Sequence, residues 1–133
     1  MLIGVDLKKD KRQLDAAYND TQQITAAFNL NLLRRINREA DADFDTSLFA
    51  HKAFYNEAEG RIEMHLVSTC TQQVCVDGHN FHFQAGETIH TENSYKYSVE
   101  EFRELGVMAG YETEHVWTDP DELFSVHCLR VSG

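Results

Sequence analysis

The apolar residues of this chain change period twice. Ile24, Ala27, Phe28, Leu32 and Ile36 recur at helical spacing along one face, with the helix expected to run to about Glu39. From about His51 to Tyr97 the apolar residues alternate, and after Ser98 helical spacing returns. A period of 3.6 buries one face of a helix and a period of two buries one face of a sheet. The chain is therefore of mixed α and β character, with an antiparallel segment set between two more helical ones.

Local signals place the elements. Met1-Leu2-Ile3-Gly4-Val5 is a short continuous apolar run, which reads as a strand buried on both faces inside a parallel sheet. Leu14, Ala17 and Tyr18 mark a first helix. Asp20-Thr21-Gln22-Gln23 reads as a capping box opening a second, and Asp41 to Asp45 breaks it. Ile62, Met64 and Leu66 share one face of a strand that follows the Glu59-Gly60 turn. Asp77-Gly78 and Ala85-Gly86 signal further turns, and Thr88 to Tyr95 reads as a strand. Together these predict a meander of four or five strands. Ser98-Val99-Glu100-Glu101 is a second capping box, with Gly110 ending its helix. Two strands, Tyr111 to Thr118 and Phe124 to Val131, complete the order.

Charge narrows the function. The chain has 133 residues and a net charge of −10, and its one basic cluster (Arg34, Arg35, Arg38) lies on a predicted helix. Phosphate contacts need clustered Lys and Arg, so nucleic acid and anionic membranes are poor partners. No apolar run approaches the roughly 20 residues of a membrane helix. Cys70, Cys75 and Cys128 lack CxxC spacing and are expected to be reduced thiols in the cytoplasm.

The densest polar cluster is on the Thr88–Tyr95 strand and just beyond it. Strict alternation puts His90, Glu92, Ser94 and Lys96 on one face. A carboxylate and a hydroxyl about 7 Å apart along a strand grip a small ligand carrying nitrogen, or else line an exposed edge. His79, His82, His90 and Glu92 also admit a cupin-like metal site, although HExxH is missing and surface histidines are the default reading. No GxGxxG, P-loop or GxSxG string occurs.

Several strings occur together and in order: Leu2-Ile3-Gly4-Val5-Asp6-Leu7-Lys8-Lys9, Ala17-Tyr18-Asn19-Asp20, Leu32-Leu33-Arg34-Arg35-Ile36-Asn37-Arg38-Glu39, Arg61-Ile62-Glu63-Met64, Ala85-Gly86-Glu87-Thr88-Ile89-His90-Thr91-Glu92-Asn93-Ser94-Tyr95-Lys96 and Trp117-Thr118-Asp119-Pro120. In these strings the chain resembles the C-terminal part of the histidine-specific, S-adenosylmethionine-dependent methyltransferases, which make hercynine in ergothioneine biosynthesis.

The resemblance implies an α/β fold: the C-terminal part of a Rossmann-like methyltransferase sheet, interrupted by an α+β substrate-binding insertion. By it, residues 1–7 are a late core strand, 8–95 the insertion, and 96–133 the last helix and two strands of the core. It implies that Tyr18 binds the substrate carboxylate, that Met64 walls the imidazole, and that Glu92 and Ser94 hydrogen-bond the ring. A ring with two nitrogens wants one donor and one acceptor, which that pair supplies. The family's cofactor loop and ribose-gripping acid have no counterpart in the chain. The expectation is a fragment with little activity of its own, which takes L-histidine or a related amino acid, needs the N-terminal half of the enzyme, and associates through open sheet edges, as a homodimer for instance. The alternatives are a non-catalytic binding module derived from the methyltransferase and the cupin-like protein.

Overall fold

A computed structural model describes residues 1–19 and 22–133. The elements run β1 (Leu2–Asp6), α1 (Lys11–Tyr18), α2 (Ile24–Glu39), a 3₁₀ turn (Thr46–Leu48), β2 (Phe49–Asn56), β3 (Arg61–Ser68), β4 (Gln72–Val76), β5 (His79–Phe83), β6 (Thr88–Tyr95), α3 (Val99–Met108), β7 (Tyr111–Thr118) and β8 (Phe124–Val131). They make two three-stranded sheets, ordered β1-β8-β7 and β2-β3-β6, and a β4-β5 hairpin. Every named strand pair is antiparallel.

Three expectations about local structure change. β1 pairs antiparallel with β8 and is not buried on both faces: Val5 is buried, whereas Leu2 is 67% exposed. A continuous apolar run cannot distinguish the two settings, because it records residue type and not the neighbour. The middle strands are not one meander. β6 passes over the β4-β5 hairpin and returns to β3, so sequence neighbours β3 and β4 lie in different sheets. Finally, α2 starts at Ile24 after Gln23 at φ 56°, whose own side chain makes no cap hydrogen bond; the Asp20-Thr21 part of the expected box lies outside the described residues.

The helices cover one face of β2-β3-β6. Leu14 of α1 packs with Ala53, Ile62 and Met64; Leu33 of α2 packs with Phe49 and Leu66. Burying side chains of this size stabilises the sheet by roughly 1.5–3 kcal/mol each. The face of α2 read from the sequence is not the buried one. Ile24, Phe28 and Leu32 are 64, 66 and 38% exposed, while Asn29 and Leu33 are buried. Asn29 is tolerated there because its amide donates to His51 Nδ1 (3.0 Å) and to the His65 carbonyl (3.1 Å). The Ser98 cap forms as expected, with Glu101 closing the box, and α3 lies against β7.

Backbone contacts join the sheets next to the site and extend the β3-β6 ladder into it. Leu7, just past β1, bridges Tyr97 in parallel fashion, and the Lys8 amide donates to the Tyr97 carbonyl at 3.0 Å. Gly60, at φ 63°, lets the β2-β3 turn fold back so that its carbonyl accepts from the Lys96 amide at 2.8 Å.

Candidate functional site

A bulge decides which side chains share the site. Met64 stands opposite Glu92 and His65 opposite His90, so Thr91 is an extra residue between two regular pairings. Its hydroxyl donates to the Met64 carbonyl at 2.9 Å and fixes the irregularity. Alternation is reset there. Glu92 pairs with Met64 and Ser94 with Ile62, and both keep to the helix-covered face. His90 moves to the other face, which corrects the expectation that all four polar residues share one side.

The expected residues fall into two clefts that share no lining residue. One, of about 230 Å³, is lined by Glu92, Met64, Thr91 and the α2 residues Phe28, Asn29, Asn31, Leu32 and Arg35. The other, of about 340 Å³, lies between the sheets and includes Tyr18, Ser94, Lys96 and Asp6. Met64 is 2% exposed and forms apolar floor. Tyr18 and Ser94 meet directly, with their hydroxyl oxygens 2.9 Å apart. Glu92 stands two residues from Ser94 and lines the other cleft, so the two clefts are the two ends of one strand face.

Lys96, named from the sequence only as part of a polar face, is central to the second cleft. It is 2% exposed, and its ammonium donates to Asp6 Oδ2 (2.8 Å), Tyr18 Oη (2.9 Å) and Ser94 Oγ (2.9 Å). Burial works against the charge, but the bonds to Asp6 and Tyr18 outweigh it and raise the lysine above its ordinary value. Burial likewise pushes the Asp6 carboxyl up. The hydrogen bonds from Lys9 and Lys96 prevail and hold it below the usual aspartate value.

Asn29 and His51 were not singled out in the sequence. His51 Nε2 lies 3.0 Å from the Tyr18 carbonyl, an acceptor, so Nε2 carries the hydrogen and Nδ1 accepts from Asn29. This chain of bonds ties the end of α1, and with it Tyr18, to α2. A buried asparagine within an apolar period was the available signal.

The opposite face gathers Glu63, His65 and His90, whose ligating atoms lie within 4.8 Å of one another. The arrangement does not suit a shared ion. The two imidazoles stack, with centroids 4.4 Å apart and planes 20° apart, and in-plane lone pairs of stacked rings do not converge. Glu63 Oε1 accepts from Arg61 and Asn56, and the Arg61 guanidinium holds the carboxyl down at about 2. His79 and His82, on the β4-β5 hairpin, are exposed and lie outside this cluster.

Buried Ser125 and His127 are also paired, with Oγ to Nε2 at 2.9 Å. Both are fully buried and, among the described residues, His127 Nδ1 has no partner and no acid orients this pair for nucleophilic work. All three cysteines are free. Among the described residues no helix is long and apolar enough to cross a membrane.

These features belong to one strand face of a mixed α/β fold: an acid beside an apolar floor at one end, and a lysine-backed pair of hydroxyls at the other. The family it belongs to follows from comparison. Residues 1–131 match the family model described as histidine-specific methyltransferase, SAM-dependent, and the chain is a member of that family. It is 43% identical over 122 residues to a histidine N-alpha-methyltransferase of Mycolicibacterium smegmatis and 42% identical over 121 residues to one of Mycobacterium tuberculosis. Each match covers 90% of this chain and 38% of the relative. An ergothioneine biosynthesis protein 1 of Neurospora crassa is 34% identical over 136 residues, which cover 99% of this chain and 15% of the relative. The chain thus spans well under half the length of the curated relatives it matches.

Proposed function

We propose that this chain carries much of the amino-acid pocket of an L-histidine Nα-methyltransferase, in which S-adenosylmethionine supplies methyl groups to the α-amine. The observation that carries this reading is the shared face of β6: Glu92 and Ser94 flank the Met64–Ile62 floor, and Tyr18 meets Ser94 at 2.9 Å. Glu92 accepts from one imidazole nitrogen and Ser94 serves the other, while Met64 packs beneath the ring. Tyr18 takes the carboxylate end. Methyl transfer from a sulfonium to an amine depends on holding the amine in line, which is the work such a pocket does.

The β1-β8-β7 order supports reading this sheet as the rim of a larger Rossmann-like one. β1 and β7 both run antiparallel to β8 and so parallel to each other, and among the described residues the far edge of β1 has no partner strand. That open edge is where the rest of the enzyme, or a second copy in a homodimer, would pair. In the domain division proposed, 8–95 is the inserted substrate domain, with 1–7 and 96–133 in the core. The free thiols fit a reducing cytoplasm.

The residues here do not fit the cofactor itself. Asp6, the acid at the C-terminal end of β1, answers the ammonium groups of Lys9 (Oδ1) and Lys96 (Oδ2), and no glycine-rich phosphate loop follows the strand. The same observation favours a second reading, an amino-acid-binding module without transfer activity. Titration calorimetry of the chain with L-histidine tests the pocket: saturable binding lost in Glu92→Ala supports it, and binding unaffected by that change refutes it. A methyl-transfer assay of the same preparation separates the two readings.

A further inference from the structure

We propose that Thr91 is a positioning residue for ring recognition: its hydroxyl, tied to the Met64 carbonyl, pins the β6 bulge in place and so holds the Glu92 carboxylate at the wall of the cleft, where a ring N–H can reach it. The inference rests on the histidine reading above and concerns what makes the acid available to the ring.

A bulge can slide along its strand. Over this stretch β6 carries one residue more than β3, and pairing requires only that some residue be the extra one. With Thr91 extra, Glu92 stands opposite Met64 and lines the cleft. Were Glu92 the extra residue, Thr91 would stand opposite Met64 and the carboxylate would leave that position. A slip of one residue changes the side chain that each ladder position presents. Some contact must therefore select the register. Glu92 does not select it, because it is exposed and, among the described residues, no hydrogen bond or ion pair holds its carboxylate.

Thr91 supplies that contact. Its hydroxyl donates to the Met64 carbonyl at 2.9 Å, across the step where the register shifts. The Asn29 amide donates to the next carbonyl of β3, that of His65, at 3.1 Å. Both side chains line the Glu92 cleft. The irregular step of the ladder and two walls of the cleft are thus one hydrogen-bonded unit, and Glu92 is carried on it. The branched Cβ of threonine restricts χ1, so the one bond fixes side chain and backbone together. Valine has the same shape without the donor, and serine has the donor without the branch. Thr91 acts on the ring through Glu92.

The test is titration of the protein, followed by chemical-shift changes, with L-histidine and with L-thienylalanine, whose five-membered ring has no N–H. Wild type is expected to prefer L-histidine. In Thr91→Val the L-histidine affinity should fall at least about fivefold while the thienyl analogue changes by less than about twofold, and Thr91→Ser should recover most of the preference. If Thr91→Val does not fold, Thr91→Ala takes its place and should show the same pattern. A preference that survives loss of the hydroxyl overturns the role of Thr91, as does equal loss of both ligands from a folded variant. Where the analogue binds too weakly to titrate, serine decides: a loss in Thr91→Val that Thr91→Ser recovers supports the role, and a loss in both overturns it. Wild type that binds neither ligand, or that does not prefer L-histidine, overturns the histidine reading itself, a result distinct from the others.

Discussion

His90 and Glu92 are two residues apart in one strand yet face opposite sides of the sheet, because Thr91 bulges between them. His90 stacks on His65, away from the helices, and Glu92 lines the cleft with Met64. The two residues should therefore separate cleanly in experiment. His90→Ala is expected to leave L-histidine affinity within about twofold. Glu92→Gln keeps the shape, removes the charge and should weaken binding by about tenfold or more, near 1.4 kcal/mol. Calorimetry on both variants checks this.

Asn29 is the buried pivot between α2, His51 and β3. Replacing it by Ala leaves His51 Nδ1 and the His65 carbonyl without this donor. Orphaning such groups costs about 1–3 kcal/mol each. Asn29→Ala should lower the urea midpoint accordingly. It should also loosen Tyr18, because the His51 ring that binds its carbonyl loses its support. An unchanged midpoint would show that the His51 ring is held by something else.

His127 should make the fold sensitive to mild acid. Burial, then the nearby Arg103 charge, lower its ionisation below the ordinary 6.5. A group whose folded value is depressed contributes stability that is present above its unfolded value. That stability is lost as pH falls through the window from 6.5 toward the depressed value. Thermal unfolding between pH 7.5 and 5 should show a falling midpoint, and His127→Gln should flatten the slope. A slope unchanged by that substitution would assign the sensitivity to other groups.

The Arg61–Glu63 pair predicts a second acid step at lower pH. Arg61 holds Glu63 at about 2, well under the ordinary 4.5, so its contribution is present above 4.5 and is lost as pH falls toward 2. Glu63→Gln should remove this lower step and leave the His127 step in place, as read by circular dichroism across an acid titration.

Legibility in the sequence followed the range of each interaction. The Ser98–Glu101 cap and the Asp77-Gly78 turn are local and were readable, and the β3 alternation placed Ile62, Met64 and Leu66 correctly on one buried face. The partner of β1 was not readable, since the apolar run is silent about which strand comes alongside. The buried face of α2 was misjudged because a hydrogen-bonded Asn29 takes a core position while Phe28 stays exposed. A bulge leaves no trace in composition, so His90 was grouped with Glu92. The setting of Lys96 depends on Asp6, ninety residues earlier in the chain and 2.8 Å away, a pairing that local pattern does not record.

The central claim is that one face of β6 holds L-histidine with its ring between Glu92 and Ser94 and its carboxylate toward Tyr18. The most direct measurement is a crystal structure of the protein with L-histidine bound. The account predicts one ring nitrogen within hydrogen-bond distance of the Glu92 carboxylate and the other within reach of Ser94 Oγ, Met64 beneath the ring, and a carboxylate oxygen accepting from Tyr18. Histidine bound with its carboxylate toward Glu92, or bound away from this face, would contradict it.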